Sequence, residues 1–134
     1  MEKIIFGDTE NSLEAIVRLL LMTVYADAKQ RQQEMIELHR QVAKLEIVLS
    51  GSTPVTPQSI STIAKHQSAD VQAALDGPER SLAIEEAVHA ITGSTRHQMM
   101  LQAMRSVANA DWELNPKESQ LLSRAAEIWG IEIP

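Results

Sequence analysis

Leu101-Gln-Ala-Met-Arg-Ser-Val-Ala-Asn-Ala-Asp-Trp-Glu-Leu-Asn-Pro-Lys-Glu-Ser-Gln-Leu-Leu-Ser-Arg-Ala-Ala-Glu-Ile-Trp-Gly130 reads as a helical hairpin. An apolar helix runs to Ala110-Asp111, and a short polar loop follows. The second helix opens with Asn115-Pro116-Lys117-Glu118. Asn115 can cap free backbone N–H groups, Pro116 suits the first helical position, and Glu118 stands where a capping-box acid belongs. Gly130 supplies the stop. Met100, Ala103, Met104 and Val107 mark the buried face of the first helix. Leu121, Leu122, Ala125, Ile128 and Trp129 mark that of the second.

The rest of the chain agrees with an all-α domain. At 134 residues it is one domain, residues 1–134, with a core over about 12–131. Hydrophobic residues make up 44% and aromatics only 3%, so the core is aliphatic. Leu, Ile, Ala and Met favour helices over strands.

Net charge is −6, and no window is densely basic. Nucleic-acid affinity rests on Lys and Arg neutralising phosphates, so nucleic acid is not expected as a partner. The absence of Cys excludes disulfides, thiolate catalysis and Cys-type metal sites. The longest apolar run, Ala15 to Ala26, contains Arg18 and is too short to span a bilayer. The first residues do not form a signal peptide. A soluble cytoplasmic protein without direct membrane insertion is expected.

Taken in order, residues 1–10 form a leader whose Ile4, Ile5 and Phe6 tuck against the core. Asn11-Ser-Leu-Glu14 has capping-box spacing. Leu13, Ile16, Val17, Leu20, Leu21 and Val24 give the first helix one apolar face, and it ends near Ala26-Asp27. A second helix over 31–50 carries a seam of Met35, Leu38, Val42, Leu45 and Leu49, and Gly51 stops it. Thr56-Pro57 caps the next segment. Shorter helices are expected over 57–66 and 68–75, with a break at Asp76-Gly-Pro78. A fifth, marked by Ile84, Ala87, Val88 and Ile91, stops at Gly93. Thr95 with Gln98 makes a capping-box spacing for the sixth. The sum is a compact bundle of about seven helices with roughly antiparallel neighbours.

The two ends of the chain match at a shift of 84 residues. Leu20 falls on Met104, Ala26 on Ala110, Asp27 on Asp111, Glu34 on Glu118 and Leu38 on Leu122. Two such copies are expected to pack as pseudo-repeated helical hairpins, bringing four acids together near the inter-helix loops.

This pattern resembles the TerB-like domain family, named after a tellurite-resistance protein. The likeness is strongest in Val107-Ala-Asn-Ala-Asp-Trp-Glu-Leu-Asn-Pro-Lys-Glu-Ser-Gln-Leu-Leu122 and Ala125-Ala-Glu-Ile-Trp-Gly-Ile131. Leu20 to Asp27, with Glu34, is a weaker copy. The resemblance implies an all-helical bundle linked to tellurite resistance, stress responses and membrane-associated complexes. It also implies a protein partner and leaves room for a homo-oligomer. The family's acidic cluster, carried over residue by residue, falls on Asp27, Glu34, Asp111 and Glu118 and implies a divalent cation of the Ca²⁺, Mg²⁺ or Mn²⁺ type. The chain departs from the family in one respect: Ala28 and Trp112 stand where a glycine usually follows each aspartate. The loop backbone must take another shape there or strain slightly.

Each candidate also has a plain structural reading. Carboxylate oxygens suit hard cations. Yet an Asp ending one helix turns the chain, and a Glu in the first turn of the next favours the helix dipole. The spacing is not that of an EF-hand, because Lys29, Gln30 and Arg31 interrupt the ligand pattern. Glu86 and His89 form a single E-x-x-H step, whereas carboxylate-bridged di-iron bundles need two; the plain reading is an exposed Glu and a rim His. His39, His66 and His97 have no ligand spacing. Trp112, in a loop, marks a contact site or else covers the bundle end. Without Cys, a Gly-x-Ser-x-Gly elbow or a Gly-rich phosphate loop, nucleophilic and nucleotide chemistry have no foothold. The expectation is a non-catalytic binding or scaffold module. The alternatives are a protein-interaction bundle without an ion site and a metal-dependent enzyme using the same carboxylates.

Overall fold

The computed structural model describes residues 5–26, 32–46, 49, 54–110 and 116–131. Among them are six α-helices and no strand: α1 Leu13–Tyr25, α2 Gln32–Leu45, α3 Pro57–Asp76, α4 Arg80–His89, α5 Ser94–Ala108 and α6 Pro116–Trp129. The expected helices over 57–66 and 68–75 are one helix, α3. Nothing in His66-Gln67-Ser68 breaks a backbone, since it holds neither Gly nor Pro. Gln67 turns inward and donates from Nε2 to the Glu14 carbonyl at 2.9 Å.

α1 forms the centre of the molecule. It packs on α2, α3, α4 and α5. One apolar face was expected, but every residue from Ala15 to Val24 is buried, including Leu19 and Met22. A helix apolar on every side but for Arg18 and Thr23 is stable only when surrounded. Ser12, not Asn11, caps it: the Ser12 hydroxyl accepts the Ala15 N–H at 3.1 Å.

The other helix ends are local chemistry. Thr56 and Ser59 form a reciprocal capping box, with the Ser59 N–H on Thr56 Oγ1 at 3.0 Å and the Thr56 N–H on Ser59 Oγ at 2.9 Å. Pro116 opens α6 as expected. Gly130, at φ +69°, closes it in a Schellman arrangement. The Gly130 N–H reaches the Glu127 carbonyl at 3.2 Å and the Ile131 N–H reaches Ala126 at 3.0 Å. The Thr95–Gln98 box does not form. Gly93 is the N-cap of α5, at φ +92°, without a side-chain cap. α2 ends at Leu45, earlier than the expected 50, although Leu49 still packs against the core. Ile5 and Phe6 pack there as well, whereas Ile4, Gly51 and Asn115 lie outside the described residues.

The repeat holds residue for residue in the second helix of each hairpin. α2 and α6 are both 14 residues long and start 84 positions apart. Leu20 and Met104 are both wholly buried, as are Leu38 and, nearly so, Leu122. Their surroundings differ, however. α2 packs on α5, α1 and α3, while α6 packs on α5 and α4. The intervening α3 and α4 give the two hairpins different neighbours.

Candidate functional site

Glu34 and Glu118 occupy the first turn of α2 and of α6, and each is only 1% exposed. A helix N-terminus favours a carboxylate through its free N–H groups and dipole. Burial opposes it, because a buried charge must be paired, hydrogen-bonded or bound to a cation. Neither carboxylate is without an interaction. Asp27, Asp111 and Trp112, together with Ala28, lie outside the described residues. Among the described residues, no group of three His, Asp or Glu is arranged around a common cation position. The four-acid set is therefore half described.

An open cleft of about 590 Å³ lies between the first turns of α2 and the end of α5, lined by Glu37, Gln102, Arg105, Ser106, Asn109 and Ala110. Glu37 stands one turn after Glu34, and Asn109-Ala110 directly precede Asp111. The opening of α2 and the exit of α5 thus meet at one place. Glu37 is braced by Arg40 at 3.3 Å and accepts from Gln41 Nε2. The cleft offers acceptors, amides and one guanidinium, which suits polar recognition. No histidine lines it to activate Ser106.

The histidines are structural in their contacts. His39 contacts the Met35 carbonyl through Nδ1 at 3.0 Å and Ser61 Oγ through Nε2 at 3.1 Å. A carbonyl only accepts, so Nδ1 carries a proton, and in the neutral ring Nε2 accepts from Ser61. That contact has the form of a nucleophile and base. Both residues lie within helices, His39 in α2 and Ser61 in α3. His97 stacks on Trp129, with ring centroids 4.8 Å apart, and donates from Nε2 to the Ile91 carbonyl at 2.7 Å. Trp129 Nε1 donates to the Val88 carbonyl at 3.0 Å, so this pair ties α4, α5 and α6 together. His89 and His66 are exposed.

Glu86 is not the exposed residue that was expected. Its carboxylate accepts three successive backbone N–H groups from the leader: Ile5 at 2.6 Å, Phe6 at 2.7 Å and Gly7 at 3.1 Å. Those bonds occupy both of its oxygens. Nearby, Arg18 donates to Asp8 through Nε at 2.9 Å and Nη2 at 3.2 Å. The Arg18 guanidinium lies 4.1 Å over the Phe6 ring. Asp8 belongs to no motif of the sequence that pairs it with Arg18. The signal was an arginine inside an otherwise apolar run, which requires a counter-charge once that run is buried.

Among the described residues, no helix is long and apolar enough to cross a membrane. Compared with known families, residues 13–133 match the family model described as tellurite resistance protein TerB, over nearly the whole chain. No curated protein and no solved structure matches the chain significantly.

Proposed function

The chain belongs to the TerB family, and from that premise we propose a non-catalytic binding and scaffold module. It serves a stress-response or tellurite-resistance type of process in the cytoplasm, for a protein partner that includes membrane-associated assemblies. Its acidic cluster of Asp27, Glu34, Asp111 and Glu118 takes a divalent cation of the Ca²⁺, Mg²⁺ or Mn²⁺ class. The observation that supports this reading is the pair Glu34 and Glu118. They stand 84 residues apart, at the same position of two helices in register, and both are buried to 1% exposure. A carboxylate burial that recurs in both copies argues for a use common to both. The cleft beside Asn109-Ala110 adds support, since it brings the end of one hairpin's first helix to the start of the other's second.

The test is thermal unfolding with Ca²⁺, Mg²⁺, Mn²⁺ and Zn²⁺, on the native chain and on Asp27→Asn/Asp111→Asn. A cation held at 100 times its dissociation constant stabilises the fold by about 2.7 kcal/mol. The expected result is a rise in Tm that the double variant lacks. No rise with any cation, from a variant that folds normally, would overturn the cation site.

A second reading is a protein-interaction bundle with no ion site. It is favoured by Ile36, a large apolar side chain left 58% exposed on α2. Partner binding that ignores a chelator but is lost in Ile36→Glu would select it.

A further inference from the structure

We propose that the groove between α1 and α4 is a docking site for a short acidic peptide, occupied here by the chain's own Ile5-Phe6-Gly7-Asp8. This proposal is independent of the cation reading, because it uses none of Asp27, Glu34, Asp111 and Glu118.

The groove recognises the segment through few and general features. Glu86 takes three consecutive backbone N–H groups, at 2.6, 2.7 and 3.1 Å. Successive N–H groups on a turning backbone form a concave anion nest; here the anion belongs to the body of the protein and the nest to the segment. Gly7, at φ +72°, turns the backbone so that the next side chain swings back towards α1. That side chain, Asp8, meets Arg18 through two bonds at 2.9 and 3.2 Å. Paired bonds of this kind are directional and charge-assisted. Phe6 supplies the apolar anchor, under the guanidinium at 4.1 Å. Among the described residues, three amides, the apolar side chains of Ile5 and Phe6, the turn at Gly7 and one carboxylate make up the recognition. Any peptide of the form apolar-aromatic-Gly-Asp carries the same set.

The receptor is built independently of its occupant. Arg18 projects from the central helix, and Glu86 from α4, whose Ala83, Ala87 and Val88 are buried in the core. The segment is separated from α1 by its own anchor. Asn11 is bonded to Ala90 and Thr92, and Ser12 caps α1. Residues 5–8 can therefore leave the groove while the entry to α1 stays in place.

The groove favours exchange over simple release. The Arg18 and Asp8 side chains are 8% and 12% exposed. With the segment in place the pair is shielded from water, and once Asp8 departs Arg18 loses its counter-charge and both charge-assisted bonds. Its Nη1 already finds no hydrogen-bond partner among the described residues. An incoming ligand that brings a carboxylate restores this pair, which sets the specificity.

The experiment adds the peptide acetyl-Ile-Phe-Gly-Asp-amide to the full native chain. A matching peptide ending in Asn serves as the control. Amide hydrogen exchange is followed at Ile5, Phe6 and Gly7, with peptide binding measured in parallel. The expected result is at least a tenfold acceleration of exchange at those amides with the Asp peptide and none with the Asn peptide. A Phe6→Ala chain, which weakens the internal segment and keeps Asp8, should bind the Asp peptide at least tenfold more tightly than the native chain. Unchanged exchange at saturating Asp peptide, or equal effects of the two peptides, would overturn the proposal. So would self-association through exchanged segments that the peptide fails to dissolve, an outcome that assigns the groove to a second copy.

Discussion

Asn11 and Thr92 hydrogen-bond each other in both directions. Asn11 Nδ2 donates to Thr92 Oγ1, and the Thr92 N–H donates to Asn11 Oδ1, each at 2.8 Å. The Asn11 N–H also reaches the Ala90 carbonyl at 2.9 Å. Asn11 adopts φ +58°, a left-handed conformation that asparagine tolerates better than most side chains. One residue thus joins the entry of α1 to the turn between α4 and α5.

Two contributions at Asn11 can be separated by urea denaturation. Asn11→Gly keeps the backbone freedom and loses the side-chain bonds, at an expected cost of about 1–2 kcal/mol. Asn11→Ala loses both and should cost about 1 kcal/mol more. Equal losses would show that the positive φ carries no strain.

Arg18 and Asp8 should behave as a buried ion pair. Asp8→Asn leaves a charge in α1 without its partner, and about 3 kcal/mol of stability should be lost. Arg18→Met together with Asp8→Asn removes the charge as well and should recover most of that loss. A double variant as unstable as the sum of its single variants would show that the two residues are not coupled.

Leu20 and Met104, equivalent in the repeat, are both wholly buried. Substitution of either by Ala should cost about 2–5 kcal/mol, from lost apolar burial and the cavity left behind. Ile36→Ala, on the exposed side of α2, should change stability by no more than about 0.5 kcal/mol. Calorimetric unfolding of the three variants checks the order.

On the cation reading, Glu34→Gln and Glu118→Gln should have matching effects. Each should weaken Mn²⁺ binding about tenfold, equivalent to about 1.4 kcal/mol of lost binding free energy. Glu86→Gln, whose carboxylate is committed to the leader, should leave the Mn²⁺ response unchanged. Titration calorimetry on the three variants distinguishes a site at the helix starts from a general effect of acidity.

Much of the helical plan is local, and for that reason the sequence alone determined it. Thr56-Pro57 and Pro116 open helices, and Gly130 closes one, because capping and backbone preferences act within a few residues. The 3.6-residue apolar period marks the core faces of α2, α5 and α6 in the same way. The shift of 84 residues singled out Glu34 and Glu118 as equivalent acids, and the pattern around them carried the likeness to the TerB family. What the tertiary structure decided is what depends on which faces meet. α1 is central because four helices surround it, which no window of its own sequence specifies. Gln67 is buried on the inward side of α3 because its side chain finds the Glu14 carbonyl 53 residues away. Asn11 gives up the expected capping role for a partner 81 residues on. Glu86 becomes the anchor of the leader for the same reason. The depth of Glu34 and Glu118 is likewise a packing result: the helix start calls for an acid, and only the surrounding helices remove that acid from water.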